Sequence, residues 1–493
     1  MPGPYGIGDL GSEAHRFAEW LGAAGQRIWQ VLPLGPTGYG DSPYQSFSAF
    51  AGNPLLIGLE GLVEKGWLAA SDLAAPPEFP PAEVDYKEVY GWKLPLLRKA
   101  AERFMDKGSP AGRERFEAFR RRNAEWLHDY SLFMALKDAH GTASVWSRWE
   151  PEIARRDPGA LSAWRQRLAA EIAVFEWTQF VFFEQWAELK RHCAGLNLRI
   201  MGDIPIYVAH DSADVWAHPE YFQLNAQGDP EWMAGVPPDY FSATGQLWGN
   251  PIYRWERMAA DGYRWWIERF RSTLEVFDIV RLDHFRGFEA YWQVRGGETT
   301  AIHGQWVKAP GEKLLTAVQE ALGALPLVAE NLGVITPEVE ALRTRFDFPG
   351  MSILQFAFGT DPQGPDFRPH NYPRERVAYS GTHDNDTTVG WWNSTAASGS
   401  TRSAADIAEE RKFARGYLNT DGTEINWVFI RTLMASVAAT VLFPLQDVLG
   451  LGTEARMNLP GRPGGNWRWR FRRDQLTGEQ QARLKELSTL YDR

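Results

Sequence analysis

Cysteine is almost absent from this chain: Cys193 is the only one in 493 residues. That excludes an internal disulfide and fits a reducing compartment. No uninterrupted apolar run approaches the length needed to cross a bilayer. The opening MPGPYGIGDLG lacks the basic-then-apolar order of a secretory leader, so the cytoplasm is the expected location. Positive charge is also short, with 52 Lys and Arg against 62 Asp and Glu for a net −10. A nucleic-acid partner would need cations to neutralise phosphates, so none is expected. There is no G-x-x-x-x-G-K-[ST] phosphate loop, no H-E-x-x-H zinc helix, no internal repeat and no low-complexity tract.

Aromatic residues, by contrast, are abundant at 13%, with 23 Trp. Flat apolar rings are what a sugar face stacks on, although most of these must serve the core. Hydrophobic residues at 44% and charged residues at 23% are ordinary for a globular protein. The length allows two or three average domains or one α/β barrel with insertions, and the barrel is the reading preferred here.

The stretch DIVRLDHFRG, from Asp278 to Gly287, reads as a short buried strand that ends in charged residues. Residues two apart share a strand face, which sets Arg281 beside Asp283. A neighbouring cation favours the ionised carboxyl. This is either a structural ion pair or an acid prepared for chemistry. The pattern recurs: Pro326–Ala329 ends at Glu330, and Arg376–Tyr379 runs into Asp384. Parallel strands of a barrel bring their carboxyl ends to one rim, where three acids fit glycoside chemistry. Asp283 suits the nucleophile. Glu330, desolvated among anions, suits the general acid. Asp384, with His383 and Asn385, suits binding of sugar hydroxyls, and His284 is a plausible hydroxyl ligand. The acidic DNDTT after His383 raises the question of a cation. It lacks the spacing of a calcium loop, so no metal or cofactor is expected.

In chain order, residues 12–25 read as a helix with Ser12 as N-cap and Gly25 beyond its end. Seven strand candidates follow: RIWQVLPL, LRIMGDIPIYV, Asp278–Phe285, Leu327–Asn331, MSILQFAF, Val377–Ser380 and ATVLFPLQDVL. Helical stretches between them imply parallel βαβ units, one strand short of eight. Residues 55–191 read as an inserted, mainly helical subdomain, with 1–54 and 192–493 forming the catalytic barrel. Residues 209–275, rich in Gly, Pro and aromatics, read as a lid. Tyr39 and Tyr44, on a Gly- and Ser-rich loop, are sugar platforms or loop anchors, with Tyr39 favoured as a platform.

The stretches PGPYGIGDLG, TGYGDSPYQSFSAFAGNP, MGDIPIYVAHDSADVW, GVPPDYFSATGQLWGNPIY, RLDHFRG, VAENLG, GTHDNDTT and ARMNLPG together resemble the amylomaltases. These are bacterial and plant 4-alpha-glucanotransferases of the alpha-amylase clan. The resemblance implies a (β/α)8 barrel with helical insertions that cleaves alpha-1,4-glucans and malto-oligosaccharides. A covalent glycosyl-enzyme would then pass its sugar to a 4-hydroxyl with retention. It implies Asp283 as nucleophile, Glu330 as acid/base and Asp384 as transition-state stabiliser. Tyr39, Asp203, Asp239, Gln246, Trp248, Arg281, His284, His383 and Asn458 would be sugar ligands, and Tyr86 a remote glucan-binding residue. The family's usual first strand, ending in H-P-T-S-L, does not precede Pro2 here, which accounts for the count of seven. A hydrolase of the same clan and a non-catalytic glucan-binding protein are the competing readings.

Overall fold

The computed structural model describes residues 1–238, 242, 244–395, 403–462 and 464–493. Its centre is a parallel sheet built from β1 (Ile28–Gln30), β2 (Arg199–Ile204), β5 (Ile279–Leu282), β8 (Leu327–Ala329), β9 (Gly350–Ile353), β10 (Arg376–Tyr379) and β11 (Thr440–Leu442). They lie side by side in that order, every neighbour parallel. Helices Ala169–Gly195, Arg264–Val276, Gly311–Leu322, Pro337–Arg345 and Ile425–Met434 precede β2, β5, β8, β9 and β11. This is the (β/α)8-barrel architecture with seven strands in its sheet, each one anticipated in the sequence. β1 and β11 are its end strands, and among the described residues no ladder joins them.

The strands are short and mostly apolar because helices cover them outside and side chains fill the centre. Met201, Val328, Met351, Ile353, Val377, Tyr379 and Leu442 form the inner cluster. Gly202 in β2 is required by contact: a Cβ there would stand 2.2 Å from the ring of Phe277. Many tryptophans are core, as expected. Trp177, Trp216 and Trp266 are fully buried. Each such side chain contributes roughly 1.5 to 3 kcal/mol by burial.

Three local expectations need correction. The helix Ser12–Ala23 starts at Ser12 itself, with Gly11 at the cap position and no side-chain capping bond. The last strand ends at Leu442, and Leu445–Leu449 turn into a helix after Pro444. The segment 209–275 is more than an irregular lid. It contributes β3 (Trp232–Val236) and β4 (Gln246–Pro251), which join β6 (Ala290–Arg295) and β7 (Gly304–Lys308) in an antiparallel sheet ordered β4-β3-β6-β7.

The helices before β2 reach the rim through specific polar clamps. Gln179, in the helix Ala169–Gly195, accepts from Gly52 N at 2.7 Å and donates to Gly52 O at 2.9 Å. Gln185 does the same to Gly58, at 2.8 and 2.9 Å. The fully buried Lys137 donates to Asp211 Oδ2 at 2.6 Å and to Ser144 O at 2.8 Å, fixing the loop beyond β2. Such buried polar groups are tolerated because each finds a partner. Among the described residues no helix is long and apolar enough to cross a membrane.

Candidate active site

The carboxyl ends of β2, β5, β8 and β10 deliver Asp203, Asp283, Glu330 and Asp384 to one rim. β2 and β5 pair with Asp203 opposite Arg281. Arg281 Nη1 donates to Asp203 Oδ2 at 2.7 Å and lies 2.8 Å from Asp283 Oδ1. Burial alone would weaken this guanidinium as a base-bound cation, but Asp203 and Asp283 outweigh it and hold it firmly charged. Asp203 has its carboxyl pushed up by burial, opposed by Arg281 and reinforced by Asp283. It also accepts from Tyr44 Oη at 2.7 Å.

Glu330 sits at the end of the buried strand β8 and is 9% exposed. Its carboxyl is pushed up to about 7: burial raises it most, Arg281 pulls it down, Asp283 raises it again, and two backbone N–H groups pull it down. Those donors are His284 N, 2.8 Å from Oε2, and Leu332 N, 2.8 Å from Oε1. The N–H of His284 reaches Glu330 from a left-handed backbone, φ 51° and ψ 52°. Few non-glycine residues adopt that conformation, and such strain gathers at functional sites. Burial pulls the His284 imidazole down to about 4, so the ring is neutral at pH 7. Its ring and that of Trp248 meet T-shaped, 4.8 Å apart at 89°.

Asp384 stands in the loop after β10 and is exposed toward the opening. Asn458 Nδ2 donates to its Oδ1 at 2.6 Å, Arg456 Nη2 donates to its main-chain O at 2.6 Å, and His383 Nε2 is 3.4 Å from Oδ2. Asn458 N also donates to His383 O at 3.1 Å, so the ARMN segment and the HDN segment are laced together. The His383 ring stacks on Tyr44 at 5.2 Å.

The structure thus gathers Asp203, Arg281, Asp283, His284, Glu330, His383, Asp384 and Asn458 into one connected network. Trp248 joins it through His284, and Gln246 through Trp248, whose Nε1 donates to Gln246 Oε1 at 3.3 Å. Tyr39 is placed otherwise: it is 76% exposed on the turn Tyr39–Asp41, outside this network. Tyr86 spends its hydroxyl on Trp467 O at 2.8 Å. Asp239 lies outside the described residues. The sequence reading left Tyr44 undecided, and the structure makes it the residue that bridges Asp203 and His383. Trp467, 5.8 Å from both Tyr44 and His383, was missed. So was Arg456. The ARMNLPG motif was the one signal that could have pointed to Arg456.

Chemically, the rim offers a carboxylate fixed by a cation, a neighbouring carboxyl that keeps its proton near neutrality, and hydroxyl-binding groups around both. That set matches acid-assisted displacement at an anomeric carbon.

The comparisons agree. The family model described as 4-alpha-glucanotransferase matches residues 1–477. A 4-alpha-glucanotransferase of Thermus thermophilus is 52% identical, covering 100% of this chain and 97% of the relative. One from Synechocystis is 49% identical, over 100% and 96%. The solved amylomaltase of Streptococcus agalactiae in complex with acarbose superposes with a TM-score of 0.94 at 40% identity, covering 100% of this chain and 97% of that one. The chain belongs to the 4-alpha-glucanotransferase family of the alpha-amylase clan, the amylomaltases.

Proposed function

We propose that this enzyme transfers alpha-1,4-glucan fragments by double displacement, with Asp283 as nucleophile, Glu330 as acid then base, and Asp384 as the transition-state stabiliser that binds sugar hydroxyls and holds the distorted ring. In the first half, an Asp283 oxygen bonds to the anomeric carbon as the bond from that carbon to the leaving O4 breaks, and the Glu330 proton passes to O4. In the second half, Glu330 takes the proton of an acceptor 4-hydroxyl as its oxygen displaces Asp283, so the configuration is retained. The observation that carries this reading is the Glu330 carboxyl, pushed up to about 7 beside the cation-paired Asp283. A general acid works best with its proton affinity near the working pH. The substrates proposed are malto-oligosaccharides and longer alpha-1,4-glucans, in line with the acarbose held by the Streptococcus agalactiae relative. Asp203, Arg281, His284, His383, Asn458, Gln246 and Trp248 would contact or frame the sugar, and Tyr39 would serve chains that extend beyond the rim.

The same reading assigns 1–54 and 192–493 to the catalytic barrel and 55–191 to an inserted support, whose Gln179 and Lys137 hold the barrel loops at Gly52 and Asp211. Incubation with maltotriose tests the function. Glucose appearing together with maltopentaose and longer products is the expected outcome. Glucose and maltose alone would mean a hydrolase, and no turnover would mean a binding protein.

A further inference from the structure

A buried carboxylate outside the sugar site clasps the loop that carries Asp384. Asp447 is 0% exposed, as are Ser380 and Thr388. Its Oδ2 accepts from Ser380 Oγ at 2.6 Å and from Thr388 Oγ1 at 2.7 Å, while its Oδ1 accepts from Thr388 N at 2.7 Å. Ser380 directly follows β10, and Thr388 opens the helix Thr388–Asn393. The segment between them holds Thr382, His383, Asp384, Asn385 and Asp386. One carboxylate therefore ties both stems of the Asp384 loop. It is itself anchored, because Asn426 Nδ2 donates to Asp447 O at 2.7 Å.

Among the described residues no cation forms a salt bridge with Asp447, so its burial is compensated by hydrogen bonds alone. A fully buried carboxylate without a cation is an expensive way to hold a strand's end to a helix's start. It does offer what apolar packing cannot: three directional acceptor contacts that fix two stems at once. We infer that Asp447 is a positioning residue for the glycosyl-transfer reaction, setting the place of Asp384 and His383 by closing their loop from behind. The inference rests on the role proposed above for Asp384.

Steady-state kinetics with maltotriose on Asp447→Ala, Asp447→Asn, Ser380→Ala and the double variant Ser380→Ala with Asp447→Ala test it, each well below its own unfolding midpoint. Displacing a catalytic group by about 1 Å costs on the order of 100-fold in rate, so Asp447→Ala should lose about that much in kcat with a far smaller change in KM. Asp447→Asn should recover part of the loss, since both hydroxyls can reverse and donate or accept. The double variant should be no slower than Asp447→Ala, because both changes break one clasp.

A kcat for folded Asp447→Ala within about twofold of the parent, or losses that simply multiply in the double variant, would overturn the inference. Should Asp447→Ala not fold, Ser380→Ala and Thr388→Val decide it: unchanged kcat in both overturns it, and a several-fold fall in each supports it. Failure of the parent enzyme to redistribute maltotriose would instead sink the transferase reading. An active parent with indifferent variants sinks only the clasp.

Discussion

Arg281 holds Asp283 through the same nitrogen that it gives to Asp203, with Nη1 2.8 Å from Asp283 Oδ1 and 2.7 Å from Asp203 Oδ2. A lysine ammonium, on a flexible stem one atom shorter and more strongly hydrated, would not hold a nitrogen at that point between the two carboxylates. Arg281→Lys is therefore expected to lower kcat/KM on maltotriose by about 100-fold or more while the protein remains folded. Steady-state rates on a variant with a normal circular-dichroism spectrum would check this; a loss under threefold would make the contact merely structural.

Asp283→Asn should abolish transfer, on the order of 10⁴-fold or more, because the amide is a poor nucleophile of nearly the same shape. Its unfolding midpoint should stay close to that of the parent. Product analysis with maltotriose and a thermal melt measure the two halves. Residual activity near the parental level would remove Asp283 from the mechanism.

The acid limb of the mechanism has a pH signature with a definite sign. In the role proposed for it, Glu330 must carry its proton to act first, so kcat should fall as pH rises through about 7. For stability, a carboxyl whose folded value is raised holds its proton where the unfolded chain has released it. Its contribution therefore weakens the fold progressively as pH climbs from the usual carboxylate range to about 7, then levels off. Glu330→Gln, which cannot ionise, should gain in melting temperature relative to the parent at pH 8 compared with pH 5. A difference independent of pH would show that Glu330 titrates normally.

Trp248, on the end strand β4 of the smaller sheet, meets His284 T-shaped at 4.8 Å. If its ring holds acceptor sugars and excludes water, Trp248→Ala should raise the ratio of hydrolysis to transfer. Chromatography of maltotriose products over time gives the ratio directly. Equal falls in both rates would leave Trp248 as a binding surface only.

At His284, φ of 51° separates side chain from backbone. His284→Gly and His284→Ala both lose the imidazole, but only glycine relaxes into the left-handed region without penalty. The glycine variant should be the more stable of the two by about 1 kcal/mol. Urea midpoints would decide; a more stable alanine variant would mean that the turn rearranges when the ring is removed.

What the sequence disclosed follows from the range over which each interaction acts. Arg281 beside Asp283 is visible because strand alternation is local. The contact of Arg281 with Asp203 depends on β2 pairing with β5, which the chain order alone does not specify. Tyr44 meets Asp203 from 159 positions away, and its neighbours in the loop carry no mark of that meeting. The lid strands were hidden for a different reason. Glycines and prolines around 235–251 read as irregular, although β3 and β4 tolerate them through a register shift between Met233 and Gly235. Tyr39 was drawn toward the site by its neighbours in sequence, while its own turn leaves it in solvent.

The peptide unit between Asp283 and His284 behaves as a ruler. One end carries the carboxyl proposed as the nucleophile, and the other end, through the His284 N–H, grips the carboxyl proposed to move the proton. The two acids are thus registered to each other by one peptide unit, one hydrogen bond and the Asp283 side chain, which its contact with Arg281 steadies. A sugar-binding pocket redesigned around this pair keeps their spacing only where Arg281 and the His284 turn are kept with it. An insertion of one residue between positions 283 and 284 would uncouple them at once.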